Sequence, residues 1–327
     1  MVATIGICAS MPGQTIGVGV FKTRLMDALG LSSMQLSLAY MLGTLCGALF
    51  LGMGGRFFDR FGGRKALVYS VVALGSVLFG LSFIDQIIGL AGHLPLLNVY
   101  VWLPAFFCLS IGFALLRYTG QGMVTLSSRA IIGKWFDRRR GIVTAFSGAV
   151  VSFVFASSPL GLEHLIRLFS WQGAWLFLAL CMLFVFAPFF WVFARDNPEE
   201  CGLEMDGGAA KTVRKVNPDS VIHVDYTRAQ AVRTYSFWAF TLMLGLSALA
   251  ITAYTFHVLA ICSELGVSAD YILKLFVPTA VVSVASGFFL SWLTDLSFIR
   301  IKYILVMMAV SSSVAYACVG LGHYPSV

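Results

Sequence analysis

Three polar residues stand at helical spacing in and just beyond one of the most apolar stretches of the chain, "IGFALLRYTGQGMV" at residues 111–124. Arg117 and Gln121 are four residues apart and Thr125 follows four later, so a helix would place all three on one face. A guanidinium binds a carboxylate through two parallel hydrogen bonds, and an amide beside it both donates and accepts. Two interpretations stay open: this face binds an anion, or Arg117 joins helices by bonding backbone carbonyls or Gln14.

Other polar side chains in apolar runs extend this set. Gln14 and Tyr40 can form hydrogen bonds from helix faces. His257, in "AYTFHVLA", titrates near neutral pH and could couple a proton to the movement of an anion. It could equally be a histidine near the membrane interface with an ordinary partner. The predicted substrate-binding residues are Arg117, Gln121, Gln14, His257 and Tyr40.

Some kinds of chemistry have no candidate residues. No aspartate or glutamate lies clearly inside an apolar run, so a proton relay through carboxylates has no visible member. The sequence contains neither an H-E-x-x-H motif nor a C-x-x-C pair, which are typical of metal sites. We therefore expect no catalytic residue, no metal and no cofactor, and an intramembrane enzyme is the least favoured class.

The composition determines which elements position these residues. Of 327 residues, 59% are hydrophobic and only 11% are charged, and the mean hydropathy is +0.87. Soluble domains carry about 25% charged residues. In lipid the backbone polar groups must be satisfied within helices or closed barrels, and the alternating pattern of a barrel is absent. The sequence predicts an all-α membrane protein.

Apolar runs give the number of membrane spans. A bilayer core of about 30 Å requires about 20 apolar residues in a helix. We predict about nine transmembrane helices, near residues 2–20, 35–54, 66–84, 100–125, 141–161, 172–194, 235–258, 272–293 and 302–320.

The positions of lysine and arginine predict the orientation. Most of the 22 basic residues follow the second, fourth, sixth or eighth span. Positively charged loops stay cytoplasmic, so we expect a multi-pass protein of the cell membrane, plasma or inner, with a cytoplasmic N-terminus. The net charge of +7 is then a consequence of topology. Anionic lipid headgroups are sufficient partners for it, and nucleic acid is not expected.

The chain carries an internal repeat. "LGLS" at Leu29–Ser32 matches "LGVS" at Leu265–Ser268, and each precedes an apolar run. The same offset aligns Asp59 with Asp295 and Arg64 with Arg300. Transporters are commonly built from such duplicated halves.

The repeat predicts the domain organisation. Residues 1–194 form a six-helix N-terminal half, the polar segment 195–234 is a cytoplasmic linker, and residues 235–327 are the first three helices of a second half. At the same offset, the partner of the sixth span's end would lie about a hundred residues beyond Val327. We therefore predict that the second half is truncated by three helices.

The segment "GGRFFDRFGGRK" at residues 54–65 carries a recognisable motif. Its pattern Gly-x-x-x-Asp-Arg-x-Gly-x-Arg resembles the signature loop of the major facilitator superfamily. Gly62 and Gly63 allow a tight turn, and Asp59 is predicted to accept hydrogen bonds from a helix N-terminus or an arginine. In the second copy, Ser291 replaces the first glycine and Leu296 follows the aspartate. The resemblance implies a cytoplasmic gating motif of Gly55, Asp59, Arg60, Gly62, Arg64 and Lys65, with Asp295 and Arg300 in the second copy.

Two further strings are similar to one branch of that superfamily. "GKWFDRRRGIVTAFSGA" at 133–149 and "RDNPEECGLEMDG" at 195–207 resemble the monocarboxylate and oxalate/formate exchanger-like branch. The resemblance implies a secondary active transporter that moves a small organic anion, such as a monocarboxylate, by alternating access. A coupled proton or a counter-anion would be the second solute, and the first, fourth, seventh and tenth helices would line the cavity. The alternative is a truncated, non-transporting member of the same superfamily.

Overall fold

The computed structural model describes residues 1–91, 102–136, 140–207, 226–264, 269–295 and 300–321. Every regular element in these ranges is helical. The chain divides into two compact units, Met1–Ala209 and Ala210–Val327. Residues 100 and 101 at the start of the predicted fourth span, residues 208–225 of the predicted linker, Leu265–Ser268 of the repeat and Leu296 lie outside the described residues.

The lengths and compositions of the helices fit a membrane protein. Six stretches of the described chain are long and apolar enough to cross a bilayer. They are Val2–Leu29, Ser33–Phe61, Gly63–Ser82, Leu103–Trp135, Arg140–Phe193 and Tyr235–Val258. Shorter apolar helices cover Pro278–Leu290 and Lys302–Ala315. The predicted fold class, an all-α polytopic membrane protein, is confirmed.

The described residues of the first unit form nine α-helical segments. They are α1 (Val2–Ala9), α2 (Thr15–Leu29), α3 (Ser33–Phe61), α4 (Gly63–Ser82), α5 (Ile84–Ala91), α6 (Leu103–Leu116), α7 (Thr125–Trp135), α8 (Arg140–Cys181) and α9 (Ala187–Phe193). A 3₁₀ turn at Met11–Gly13 joins α1 to α2, and π-helical segments join α6 to α7 (Arg117–Val124) and α8 to α9 (Met182–Phe186).

The 54-residue stretch that begins at Arg140 is a hairpin. A single helix of that length would measure about 80 Å, far more than a bilayer. Ser170 within it has φ 65° and ψ 174°, which interrupts the helix. Trp135 Nε1 donates to the carbonyl of Arg195 at 3.3 Å, and the Arg140 side chain lies against Gly133, so the stretch begins and ends at the same end of the unit. Its two arms are the predicted fifth and sixth spans.

The "LGLS" motif forms the turn between α2 and α3. Gly30 has φ 63°, a left-handed conformation that ends α2 and that glycine adopts without strain. Ser32 begins α3 with a capping box: its hydroxyl accepts from the backbone N of Gln35 at 3.2 Å, and the Gln35 side chain accepts from the backbone N of Ser32 at 2.8 Å. This turn chemistry accounts for the first copy of the repeated motif.

Charged side chains mark the two ends of the first unit. One end carries Arg64, Lys134, Arg140 and Arg195, and we call it the basic end. Lys134 Nζ lies 5.2 Å from the centre of the Phe58 ring, which joins the end of α7 to the end of α3.

The opposite end of the first unit has a different arrangement of charge. There Glu163 accepts from Arg24 at 2.7 Å and from Arg167 at 3.1 Å. These contacts join the outer part of α2 to the hairpin. The two ends of the unit therefore differ in how their arginines are compensated.

The core of the first unit lies along α4. Leu67, Val71, Leu74 and Leu78 recur at helical spacing and are fully buried. On the other side of the core, the rings of Phe21 and Trp175 stack with centroids 4.9 Å apart. This packing holds α2 and the hairpin in place, which in turn fixes the positions of the polar residues between the helices.

Several helices extend beyond the predicted spans. α3 continues to Phe61 instead of ending near residue 54, so Gly55, Asp59 and Arg60 lie on a helix rather than in a turn. α7 continues to Trp135, so Arg129 also lies on a helix. An apolar window detects only the lipid-embedded part of a helix, whereas backbone hydrogen bonding continues through the membrane interface.

The second unit contains α10 (Arg228–Ala231), α11 (Tyr235–Glu264), α12 (Ala269–Asp295) and α13 (Ile301–Leu321). The predicted seventh, eighth and ninth spans lie on α11, α12 and α13. Residues 195–207, predicted to begin the linker, contact the basic end of the first unit through Arg195 and Asp196.

Candidate functional site

The first membrane-spanning stretch is broken in its middle. α1 ends at Ala9, and after the turn at Met11–Gly13 the backbone of Gln14 is extended, with φ −87° and ψ 157°. Pro12 lacks an N–H group and so cannot continue the ladder of helical hydrogen bonds. Such breaks are tolerated in a membrane where other protein groups satisfy the freed backbone atoms.

The fourth membrane-spanning stretch is also irregular where it faces this break. Residues Arg117–Val124 form a π-helix between α6 and α7. π-helical segments are rare and are frequent at functional sites. The two irregular segments meet at glycines, since a Cβ atom on Gly120 would lie 2.8 Å from the Cα of Gly13. Glycine at both positions therefore allows the two segments to approach closely.

Arg117 crosses this junction. Its Nη1 donates to the carbonyl oxygen of Gly13 at 3.2 Å and to the Thr15 hydroxyl at 3.4 Å. Its guanidinium carbon lies 5.4 Å from the centre of the Tyr40 ring. The side chain is only 7% exposed, and its Nε has no hydrogen-bond partner among the described residues. No carboxylate in that part of the chain pairs with it.

Tyr40 and Thr15 form the wall beside Arg117. The Tyr40 hydroxyl donates to Thr15 Oγ1 at 3.0 Å, so one threonine oxygen accepts from both Arg117 and Tyr40. The Tyr40 ring, 5% exposed, meets Phe113 edge to face with centroids 5.5 Å apart. α2, α3 and the π-helix are thereby joined around the guanidinium.

Gln14 belongs to a second polar cluster. Its Nε2 donates to Ser10 Oγ at 3.0 Å and to Thr125 Oγ1 at 3.3 Å, and Thr125 donates to Ser10 at 3.2 Å. Gln14 lies in the helix break rather than on a helix face, and it does not bond Arg117. Arg117 therefore joins two membrane-spanning stretches through the Gly13 carbonyl, as one form of the structural alternative predicts. It does not do so through Gln14, as the other form predicts.

The predicted stripe of Arg117, Gln121 and Thr125 is divided in the structure. Arg117 is buried and Thr125 is half-buried, and both contact the first membrane-spanning stretch. Gln121 is exposed. Gly120 occupies the side that faces Gly13, and the next residue in a helix points well away from it. A role for Gln121 in substrate binding stays a prediction, and it requires that the substrate contact this exposed side of the helix.

His257 lies on α11 in the second unit. It is half-buried, and its ring meets Phe256 edge to face with centroids 5.3 Å apart. His257 also interacts with a further partner within the structure. Its involvement in proton coupling stays a prediction.

Arg64 of the predicted gating motif binds the end of the hairpin. Gly62 has φ 82° and provides the tight turn that the sequence predicts between α3 and α4. The backbone N of Arg64 donates to Asp196 Oδ1. Its Nε donates to the carbonyl of Trp191 at 2.9 Å, and its guanidinium stacks 4.8 Å from the centre of that indole.

The carboxylate at this turn is not the predicted one. Asp59 is exposed on α3, and no hydrogen bond to its side chain occurs among the described residues. Asp196 instead accepts from the first turn of α4, because Gly62 at the N-cap position has no side chain to do so. A Cβ on Gly62 would lie 2.4 Å from Asp196 Oδ2, so glycine is required for this approach.

The other members of the gating motif have fewer contacts. Gly55 has open space around it, Lys65 is exposed, and the Arg60 guanidinium lies 5.5 Å from the centre of the Phe61 ring. In the second copy, Asp295 ends α12, but its side chain is outside the described residues, and Arg300 is exposed. A gating role for these residues stays a prediction.

Three residues at these sites were missed by sequence reasoning. Thr15, Ser10 and Asp196 each bond a predicted residue or replace one. For Ser10 and Thr15 the signal was present, since "SMPGQT" is a polar run inside an apolar window. Asp196 carried no comparable signal, because it contacts α4 from 132 positions away in the sequence.

The helices and their buried cation define a polytopic membrane protein with a polar site inside its first helical unit. The family model of the Major Facilitator Superfamily matches residues 3–327, and the chain belongs to that family. Members of the family are membrane transporters rather than enzymes. No curated protein and no solved structure matches the chain.

Proposed function

We propose that this membrane transporter is a secondary active transporter of a small organic anion, such as a monocarboxylate, and that Arg117 binds the anion. The observation that carries the proposal is an arginine that is only 7% exposed and has no carboxylate partner in the described part of the chain. The family supplies the general activity, and this side chain suggests the class of substrate.

The electrostatics of Arg117 favour an anion. A charged side chain in the middle of a bilayer costs about 2.5–3.5 kcal/mol on insertion scales, so such residues are usually functional. Gly13 and Thr15 accept from Arg117 with neutral oxygens, and no carboxylate of the described residues compensates its positive charge. A carboxylate would supply the missing charge, and Nε remains available to donate to it.

A purely structural role for Arg117 is the competing interpretation. Its bond to the Gly13 carbonyl does join two membrane-spanning stretches. That bond uses Nη1 and leaves Nε unpaired. A structural role would make stability depend on Arg117, whereas anion binding makes the affinity for carboxylates depend on it. The two roles are therefore separable by experiment.

The break in the first helix and the π-helix suit alternating access. In transporters, interrupted helices surround the substrate site and provide backbone groups for it. Here Arg117 spans both interruptions, so an anion that binds it would influence how α2 and the π-helix pack. We propose this junction as the element that senses the substrate.

The proposed transport of the anion is coupled to the movement of a second solute. His257 could carry a proton, or a counter-anion could exchange for the substrate. Uptake driven by an imposed pH gradient would favour the proton, and uptake that needs an internal anion would favour exchange.

The basic end of the first unit, and with it the N-terminus, is proposed to face the cytoplasm of a plasma or inner membrane.

The experiment that tests the function is solute uptake into proteoliposomes. We expect wild-type protein to take up a radiolabelled monocarboxylate such as lactate, and not its neutral amide analogue. Arg117→Ala should abolish this uptake, whereas Arg56→Gln, which removes an exposed charge on α3, should not. Uptake of the amide at the same rate as the acid, or full uptake by Arg117→Ala, would disprove the proposal.

A further inference from the structure

A second polar cavity lies near the basic end of the first unit. It has a volume of about 310 Å³. α1, α7 and the first turns of α8 form its walls. Its polar lining comprises Arg129, Arg140, Thr144 and Ser147, and its apolar lining includes Ile7 and Ile132.

Two exposed arginines give this cavity a positively charged lining. Arg129 and Arg140 both line it, and neither forms an ion pair with a described carboxylate. The ion pairs in that part of the chain both use Glu163, at the opposite end of the unit.

Ser147 provides an independent sign of a missing ligand. Its side chain lines the cavity and is only 2% exposed. Its hydroxyl has no hydrogen-bond partner among the described residues. A buried hydroxyl without a partner is unfavourable, and such groups are rare in folded proteins. A ligand with acceptor oxygens in the cavity would satisfy it.

We infer that this cavity binds a phosphate group through Arg129, Arg140, Thr144 and Ser147. Two guanidiniums and two hydroxyls are the donors that a tetrahedral oxyanion requires, and arginine is suited to bidentate contact with phosphate. The phosphate can belong to the headgroup of an anionic phospholipid, whose apolar part would lie near Ile7 and Ile132, or it can be free in solution.

This site is distinct from the one at Arg117. Arg129 lies 12 residues after Arg117, at most about 18 Å further along the helix. Arg117 contacts Gly13 and Thr15, and neither of these residues lines the cavity. The inference therefore does not depend on the proposed transport of a carboxylate.

The test measures binding of two probes to the purified full chain. Inorganic phosphate is titrated in neutral detergent by calorimetry. For the second probe, the protein is placed in phosphatidylcholine nanodiscs that either contain or lack phosphatidylglycerol. Native mass spectrometry then identifies the lipid that the protein retains. Binding in detergent identifies a free phosphate, and retention of phosphatidylglycerol alone identifies a lipid headgroup. Either result supports the site if it depends on the two arginines.

Matched variants decide this dependence. Arg140→Gln and Arg129→Gln should each weaken binding about 10-fold or more, because each removes hydrogen bonds to a charged group. Arg56, like Arg129 and Arg140, is exposed, but it lies outside the cavity, so Arg56→Gln removes the same charge and should change binding less than about 2-fold.

Ser147→Ala separates ligand binding from a structural role. It should weaken binding roughly 3- to 10-fold without lowering the melting temperature of the ligand-free protein, because the hydroxyl has no partner to lose. The inference is overturned if neither probe binds the wild-type protein. It is also overturned if the two arginine variants behave like Arg56→Gln.

Discussion

Arg117 is held by oxygens that carry no charge. Thr15 and the Gly13 carbonyl position the guanidinium, and the Tyr40 ring faces it. These contacts orient the planar group but leave its positive charge without a counter-ion in the described chain. An anion that binds Arg117, as the proposed function requires, would supply this counter-ion.

The oxygen of Thr15 is the acceptor that Arg117 and Tyr40 share. Thr15→Val should therefore destabilise the protein more than Tyr40→Phe. The valine deprives two buried donors of this acceptor and should cost about 2 kcal/mol or more. The phenylalanine removes one donor while Thr15 still pairs with Arg117, which should cost about 1 kcal/mol.

Thermal unfolding in one detergent, at equal protein concentration, compares these two variants. A larger loss of stability for Tyr40→Phe than for Thr15→Val would contradict the shared acceptor. Both side chains are replaced by residues of similar shape, so cavity formation contributes little to either result.

The sequence predicted Arg117 and Tyr40 because a polar residue in an apolar window is visible without a structure. It could not predict that Gln121 is exposed, because its side chain direction depends on the contact between Gly120 and Gly13. It also assigned to Asp59 the contact that Asp196 makes. That contact joins distant parts of the chain, and local spacing has no information about it.

At the scale of elements, two irregular segments pack against each other where regular helices would be expected. Gly13 and Gly120 allow this, since a Cβ on either would lie within 2.8 Å of backbone atoms of the other segment. The apolar runs predicted two continuous helices here, near residues 2–20 and 100–125. The break and the π-helix arise from tertiary packing and from Pro12, which the length of an apolar run does not reveal.

Gly120→Ala should destabilise the protein by about 1 to 3 kcal/mol, because the added methyl group meets backbone atoms that cannot move away as a side chain can. Gly52→Ala is the control, because Gly52 lies on exposed α3 with no atom of the described residues within 4 Å of a Cβ. That substitution should raise stability by up to about 1 kcal/mol through helix propensity. Equal effects in thermal unfolding would show that the glycine contact is unimportant.

The turn between α3 and α4 depends on a cap from the hairpin. Asp196→Ala should lower stability by about 1 kcal/mol, because Asp196 accepts from the backbone of Arg64 in the first turn of α4. Asp59→Ala should change stability by less than about 0.5 kcal/mol, because its side chain is exposed. Urea or thermal unfolding of both variants measures the difference. A greater effect of Asp59→Ala would restore the interpretation made from the sequence.

At the scale of the whole molecule, composition alone predicted the fold class correctly. The low charge content and the length of the apolar runs leave helices as the elements that satisfy the backbone in lipid. The ends of the helices were less accurate, as α3 and α7 show, because charged residues at the interface still belong to the helices.

The orientation of the chain is a further prediction. In a variant whose only cysteine is Cys201, which is exposed, a membrane-impermeant maleimide should react only after the cells are permeabilised. A cysteine introduced by Arg167→Cys, at the opposite end of the first unit, should react in intact cells. Labelling of Cys201 in intact cells and not of the second variant would reverse the proposed topology.

The central claim is that Arg117 binds the transported anion, and equilibrium binding tests it most directly. Purified wild-type protein, Arg117→Lys, Arg117→Gln and Arg56→Gln are titrated with the monocarboxylate that the wild-type protein takes up. We predict wild-type affinity for Arg56→Gln, weaker binding by Arg117→Lys, which retains charge without the planar fork, and at least a 10-fold loss for Arg117→Gln. Equal affinity of Arg117→Gln and the wild-type protein would contradict the claim.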